Sequence, residues 1–250
     1  MSANAIEIRD LVVDYGSRRI LTNISFDIRQ GEIMVIMGGS GAGKSTLLRC
    51  LLGLKKPTSG HIHMLGTDIC HASQAELYKL REKMGVAFQR GALFTSMSVA
   101  ENIQLPLREH TDLDESTIQI MTRIKLDMVN MLPYEHLMPS ELSGGMAKRA
   151  ALARAIIMDP KLLFFDEPSA GLDPVNCRKL DELILDLKQN LGLTFVVVSH
   201  EIESIIAIAD DGIFLDANSR SILGHGHPQS LSESSPVPEV RNFFARSLPA

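Results

Sequence analysis

Alternation of apolar and polar positions opens the chain. Residues 5–15 (Ala-Ile-Glu-Ile-Arg-Asp-Leu-Val-Val-Asp-Tyr) and Leu21 to Ile28 both follow the two-residue period of a half-buried strand, which predicts an antiparallel sheet. The period then disappears. Ile33-Met34-Val35-Ile36-Met37 is continuously apolar, as a strand covered on both faces should be. Thr46 to Leu52 predicts a helix that Gly53 ends. After a turn over Lys55 to Gly60, the run His61-Ile62-His63-Met64-Leu65 alternates again and puts both histidines on one face. Two histidines do not complete a metal site, so they read as a polar strand face, as do His225 and His227. Residues 74–83 predict a helix, and Met84 to Phe88 a strand ending at Gln89.

From Gln89 to about residue 158 the pattern turns helical with little strand signal, which predicts an inserted all-α lobe. Within it Ser98-Val99-Ala100-Glu101 has capping-box spacing, Pro106 is expected to interrupt the helix, and Asp114 to cap another reaching about Met131. Ala147 to Ile157 are strong helix formers stopped at Asp159-Pro160. Two further apolar runs, Leu162 to Phe165 and Leu193 to Val198, flank a helix that Asp173 caps and Pro174 enters. Its stripe is Leu180, Leu183, Ile184, Leu187 and Leu191, and Gly192 follows. A helix over roughly 201–209, a turn at Asp210-Asp211-Gly212 and strands at Ile213-Phe214-Leu215 and Ser221-Ile222-Leu223 complete a domain over residues 1–225. Residues 226–250 differ. Ser, Pro and Glu dominate from Pro228 to Pro238, and Val240, Phe243 and Phe244 make one amphipathic turn, a tail for packing on its own domain or for docking on a dimer mate or partner.

Composition narrows the function. With 250 residues, 45% apolar and 22% charged, the chain is an ordered globular protein. A net charge of −5 without a long Lys/Arg run argues against a nucleic-acid groove and a polybasic membrane anchor, so any polyphosphate must be held by local geometry. Cys50, Cys70 and Cys177 show no CxxC pair, which fits a reducing cytosol. No apolar run approaches the roughly 18 residues of a membrane span, and the N-terminus does not read as a signal peptide. Service to a membrane would run through a partner.

The chemistry centres on Gly38-Gly39-Ser40-Gly41-Ala42-Gly43-Lys44-Ser45-Thr46, which fits G-x-x-x-x-G-K-[ST] at every fixed position between a strand and a helix. Its glycines let backbone N–H groups turn onto the α- and β-phosphates at the positive end of the helix dipole. Lys44 is placed for the β/γ-phosphates and Ser45 for Mg²⁺. Tyr15, closing the first strand beside Gly16, can stack on a purine. Ser143, Gly144 and Gly145 begin the helix through Ile157 and form a second anion site. One ATP cannot readily use two helix N-termini from distant parts of one chain, so a head-to-tail homodimer is expected, with each Ser143-Gly144-Gly145 covering the γ-phosphate held by the other subunit. The strand through Phe165 ends in Asp166 and Glu167. Asp166 can hold Mg²⁺ through water and Glu167 can take a proton from attacking water. His200 ends the next buried strand at the same edge if the strands are parallel, where it can contact the γ-phosphate.

Gly38 to Ser45, Gln89, Leu142-Ser143-Gly144-Gly145, Phe165-Asp166-Glu167, Asp173 and His200, in this order, resemble the ATPase subunit of ABC transporters over about residues 5–225. The resemblance implies an α/β P-loop NTPase of the ABC ATPase fold, with a RecA-like core, an N-terminal antiparallel β subdomain and an α-helical subdomain inserted over about 90–158. It further implies ATP and Mg²⁺ as ligands. It makes Tyr15 the adenine-stacking aromatic, and Gln89 a link from Mg²⁺ and attacking water to a membrane partner. Asp173 communicates across the dimer, Glu167 is the catalytic base and His200 the γ-phosphate switch residue.

Two segments resemble the Mla-type (MCE-associated) ATPases that drive phospholipid traffic between the inner and outer membranes of Gram-negative bacteria. They are Gln89-Arg90-Gly91-Ala92-Leu93-Phe94 on to Ile103, and Met146-Ala147-Lys148-Arg149 on to Arg154. Met146 stands where most transporter ATPases carry glutamine. Thr95 stands in place of an expected aspartate, and Ser169 of a usual threonine. The subfamily implies an integral-membrane permease whose coupling helix meets residues 89–110, a periplasmic MCE-domain lipid-binding protein and a small STAS-domain subunit. It places the chain peripherally on the cytoplasmic face of the inner membrane. The competing readings are the motor of an importer of small polar solutes, and a soluble ABC protein of translation or DNA maintenance.

Overall fold

A computed structural model describes residues 4–89 and 91–245. Arg90 and the end of the tail, 246–250, lie outside the described residues. Strands β1 (Asn4–Tyr15) and β2 (Arg18–Arg29) form the expected antiparallel pair. Strand β3 (Ile33–Gly38) runs into helix α1 (Lys44–Leu51), followed by β4 (Ser59–Met64), β5 (Thr67–Asp68), α2 (Gln74–Arg81) and β6 (Met84–Ala87). Helices α3 (Val99–His110), α4 (Glu115–Met128) and α5 (Gly144–Ile156) make the inserted lobe. The chain returns through β7 (Leu162–Asp166), α6 (Pro174–Leu191), β8 (Thr194–Val198), α7 (Ile202–Ile208), β9 (Asp211–Leu215) and β10 (Ile222–Gly226), then α8 (Pro228–Ser234) and α9 (Pro238–Ala245).

Two sheets result, a four-stranded one in the order β2-β1-β4-β5 and a six-stranded one in the order β10-β9-β3-β8-β7-β6. The continuous apolar runs are explained by the second sheet, which has a core on each face. Ile33, Val35 and Met37 enter the core shared with the helical lobe, α6 and α7, whereas Met34 and Ile36 enter the core under the antiparallel sheet and α1. Phe165 and Phe164 divide in the same way on β7, as do Val197 and Val198 on β8.

Some expectations need correction. Pro106 does not interrupt α3. Proline forfeits one backbone bond, but Ser98 and Glu101 cap the helix reciprocally while Val99, Ile103 and Leu107 are buried on either side of the lesion. Helix α4, capped by Asp114 as expected, stops at Met128 rather than Met131. Asp211 and Gly212 are already strand, paired to Met34 and Val35, and a Cβ on Gly212 would lie 2.6 Å from Met37 Cε. That glycine lies inside a strand, not in a turn. Residues 228–245 form two helices where one turn was expected, and Leu231, Val240 and Phe244 are buried in the main core.

Candidate functional site

Strands β6, β7, β8 and β3 are mutually parallel, so their C-terminal ends share one edge of the sheet. There β3 delivers the phosphate loop, β7 Asp166 and Glu167, β8 His200, and β6 Gln89. One open pocket of about 440 Å³ is lined by Ser40 to Thr46, Gln89, Asp166, Glu167 and His200, joined by Arg18 and Ile20. The Walker-type loop, both acids, Gln89 and the histidine, far apart in sequence, therefore converge. Tyr15, Gly38, Gly39, Ser143, Gly144, Gly145 and Asp173 are not among the residues that line it.

Backbone geometry explains the loop's composition. Gly38 has φ of +143° and a Cβ there would stand 2.3 Å from the Leu215 carbonyl oxygen; Gly43 has φ of +97° and its Cβ would meet Leu21 Cδ2 at 2.7 Å. Gly43 is the N-cap of α1 and supplies no side-chain cap, which leaves the first N–H groups of α1 for an anion. Lys44 Nζ donates to the carbonyls of Gly38 at 2.7 Å and Gly39 at 3.1 Å, folding the ammonium over its own loop. Burial lowers its pKa below the usual lysine value against the opposing pull of Glu167 and Asp166.

The acids differ in environment. Burial, then the charge of Glu167, raises the Asp166 carboxyl above the usual range, although Lys44, Arg49 and Lys148 pull the other way. Glu167 sits at φ of +52°, a left-handed conformation that costs a non-glycine residue energy and is characteristic of functional positions. Its amide donates to the Val198 carbonyl at 2.8 Å and so locks the turn. Its side chain is only 12% exposed, with Oε2 2.7 Å from His200 Nδ1. That approach lacks hydrogen-bond alignment, and Oε2 is buried without a hydrogen-bond partner. A carboxylate oxygen without a hydrogen-bond partner, on a residue that lines the phosphate pocket, suits a proton acceptor. Ser45, Asp166 and Gln89 offer oxygen donors at one place, a set that fits a hard divalent cation, and such a charge would relieve the repulsion between the acids.

The remaining sequence candidates lie outside this pocket. Tyr15 ends β1 with its ring 42% exposed, and Lys55 Nζ stands 4.6 Å above the ring centroid. Ser143 caps α5 by accepting from the Met146 amide at 3.3 Å, and Ser143 and Gly144 are exposed. Asp173 caps α6, accepting from the Val175 and Asn176 amides at 3.0 and 3.1 Å and from Asn176 Nδ2 at 2.5 Å. Those three bonds hold its carboxyl below the usual aspartate range.

Nucleotide-binding cassettes of transporters share these features as a set, and a family model described as "ABC transporter" matches residues 21–170. The chain belongs to the ABC transporter family. It is an ATP-binding and ATP-hydrolysing cassette of that family, with the α/β fold expected of one. It is 45% identical over 242 residues to the "Intermembrane phospholipid transport system ATP-binding protein MlaF" of Escherichia coli strain K12, covering 97% of this chain and 89% of that one. To the protein of the same name from Haemophilus influenzae it is 44% identical over 234 residues, covering 94% of this chain and 88% of that one. Among solved structures it resembles the dimeric post-hydrolysis state of the ATP-binding cassette MJ0796 bound to ADP and Pi. The TM-score is 0.80 at 28% identity, covering 89% of this chain and 98% of that one. Among the described residues, no helix is long and apolar enough to cross a membrane.

Sequence reasoning missed five side chains of this cassette. Arg18 and Ile20 enter the pocket from β2. Lys148 donates from α5 to the Gln89 carbonyl and, at 3.2 Å, to that of Glu167. Arg154, one turn and a half further along the same helix, donates to the carbonyls of Ala92 at 2.8 Å and Gly91 at 3.1 Å. Buried Asn102 adds bonds to both the amide and the carbonyl of Phe94. Helix α5 thus ties the backbone at Glu167 and the segment after Gln89 into one body. Two basic residues six apart on a helix were the available signal, but a charge on a helix says nothing of which carbonyls it meets.

Proposed function

We propose that the chain is the motor of a transporter moving phospholipid between the inner and outer membranes, acting as a homodimer on the cytoplasmic face of the inner membrane. The likeness to the two MlaF proteins carries this reading, because it spans nearly the whole length of both chains. The phosphate loop from Gly38 to Thr46 grips the triphosphate of ATP, Lys44 leaving its own carbonyls for the β/γ-phosphates. Mg²⁺, held by Ser45, Gln89 and, through water, Asp166, would supply charge neutralisation between the phosphates. Glu167 accepts the proton of attacking water, and His200, against Glu167, reads the γ-phosphate. Tyr15 stacks on adenine. Ser143, Gly144 and Gly145 do not line their own chain's pocket, and Ser143 and Gly144 are exposed, which supports their covering the nucleotide of a second copy, with Asp173 near that junction between Leu172 and Asn176, the neighbours of Gly144 and Gly145.

An integral-membrane permease would dock where the lobe meets the core. A groove of about 350 Å³ there, bounded by Tyr78, Met84, Pro106, His110, Arg154 and Met158, adjoins the segment after Gln89 and suits an inserted helix. A periplasmic MCE-domain protein and a STAS-domain subunit complete the assembly. The test is purification of the native complex from membranes, with identification of its components and bound lipid. Recovery of an MCE-domain protein and phospholipid is expected. A periplasmic solute-binding protein in its place would reassign the motor to a polar-solute importer.

A further inference from the structure

The polar face of β4 is not a bare strand face, because the fold brings a carboxylate and another imidazole to it. Leu65 and Gly66, at φ of +48° and +82°, make the tight turn joining β4 to β5, in the positive-φ region that two-residue hairpins favour. This turn pairs His63 with Asp68 across the hairpin, and alternation puts His61 on the same face. Beyond Asp68 the chain reverses at once, with the His71 and Ala72 amides bonding to the Asp68 carbonyl at 3.3 and 2.9 Å. His71 is thereby folded back onto the same spot.

Asp68 Oδ2 then lies 2.8 Å from His71 Nδ1 and 3.4 Å from His61 Nδ1. One ligand atom from each of the three residues falls within 4.8 Å of the others, the only such group of His, Cys, Asp and Glu among the described residues. Asp68 Oδ1 accepts from the Cys70 amide at 3.0 Å, which fixes the carboxylate and leaves Oδ2 to the imidazoles. We propose that His61, Asp68 and His71 bind one borderline transition-metal ion, of which Zn²⁺ is the type. A tetrahedral Zn²⁺ with bonds of about 2.0–2.2 Å keeps its ligands about 3.3–3.6 Å apart. The 3.4 Å between Asp68 Oδ2 and His61 Nδ1 already matches, and the 2.8 Å to His71 Nδ1 opens by rotation of that exposed imidazole. Two imidazoles and one carboxylate select this class over Mg²⁺ or Ca²⁺, which take oxygen. The hydrogen bond holding Asp68 is the outer support that metal ligands use. His61 and His71 are exposed, which leaves the fourth position open to solvent, and the His63 ring stacks 6.2 Å from that of His61. None of the three residues lines the nucleotide pocket, so the site is separate from the hydrolytic one.

The experiment uses the full chain, stripped with chelator and free of nucleotide, titrated with Co²⁺ as a spectroscopic probe in excess Mg²⁺. One Co²⁺ per chain with the visible absorption of a low-coordinate site is expected, displaced by Zn²⁺ and not by Mg²⁺. His71→Gln and Asp68→Asn should each weaken binding about tenfold or more. His136→Gln, at a histidine 90% exposed and outside the cluster, should leave it unchanged. Should either cluster variant melt early, His61→Gln is the substitute. Absence of a saturable Co²⁺ signal up to about millimolar metal, or equal binding by parent and cluster variants, overturns the assignment.

Discussion

Glu167→Gln isolates the charge of the proposed base. The amide has the carboxylate's shape, the left-handed backbone costs both residues alike, and the bonds from Glu167 to Val198 and from Lys148 involve main-chain atoms that the substitution leaves alone. What is lost is the proton-accepting oxygen that stands buried, unpartnered and 2.7 Å from His200. A positioned general base contributes about 10²–10⁴-fold, which at about 1.36 kcal/mol per decade is roughly 2.7–5.5 kcal/mol of barrier. Binding should not suffer. Glu167 helps raise the Asp166 carboxyl, so removing its charge leaves Asp166 more readily ionised and the pocket less repulsive to a triphosphate. Phosphate release should therefore fall at least 10²-fold while ATP affinity is kept or tightened. An ATP-dependent dimer should appear by size exclusion that ADP does not support. Turnover within about tenfold of the parent, with nucleotide binding intact, would remove Glu167 from the role.

Other perturbations test neighbouring steps. Lys44→Ala should abolish ATP binding measured by a fluorescent analogue, since its ammonium is the one that reaches from the loop; retained affinity would contradict the site. Lys148→Met removes a half-buried cation that holds the Gln89 and Glu167 carbonyls. A charged hydrogen bond of about 1.5–3 kcal/mol predicts kcat down roughly 10–100-fold with KM for ATP little changed, and Lys148→Arg should restore it. A proportional rise in KM, or no rescue, would refute its positioning role. Phe244→Ala removes a side chain 2% exposed, in edge contact with Phe243, and should cost about 3–5 kcal/mol, lowering Tm by roughly 6–20 °C. An unchanged melt would mean the C-terminal helices are not part of the fold.

The His225–Asp211 pair gives a pH signature. The hydrogen bond that the His225 imidazole donates to Asp211 raises His225 above 6.5, and burial of Asp211 is outweighed by the bonds it accepts from His225 and Gly212, which hold it below 3.8. The His225 contribution is complete below 6.5 and fades as pH climbs through its raised folded value, while that of Asp211 is complete above 3.8. The Tm difference between parent and His225→Gln should accordingly be widest between these limits and narrow as pH rises above 6.5 through the raised folded value. A constant difference would count against the pair.

By itself the chain's order of residues settled much that is local. Strand, glycine loop and helix around Lys44, the caps at Ser98, Asp114 and Asp173, the helix start at Ser143, and the apolar runs of β3, β7 and β8 are all written in spacings of a few residues. Periodicity and capping are short-range physics, so they are legible without a fold. Pro106 and Gly212 show where that reading stops, because burial on both sides carried one helix through a proline and parallel pairing with β3 drew the glycine into a strand. Only tertiary structure decided which distant groups meet. Parallel pairing carried Gln89, Asp166, Glu167 and His200 to one edge, a helix three turns long let Lys148 and Arg154 clasp two separate loops, and a hairpin with a reversal set His71 beside His61. Such meetings depend on strand order and packing across the whole molecule, and no local pattern records them.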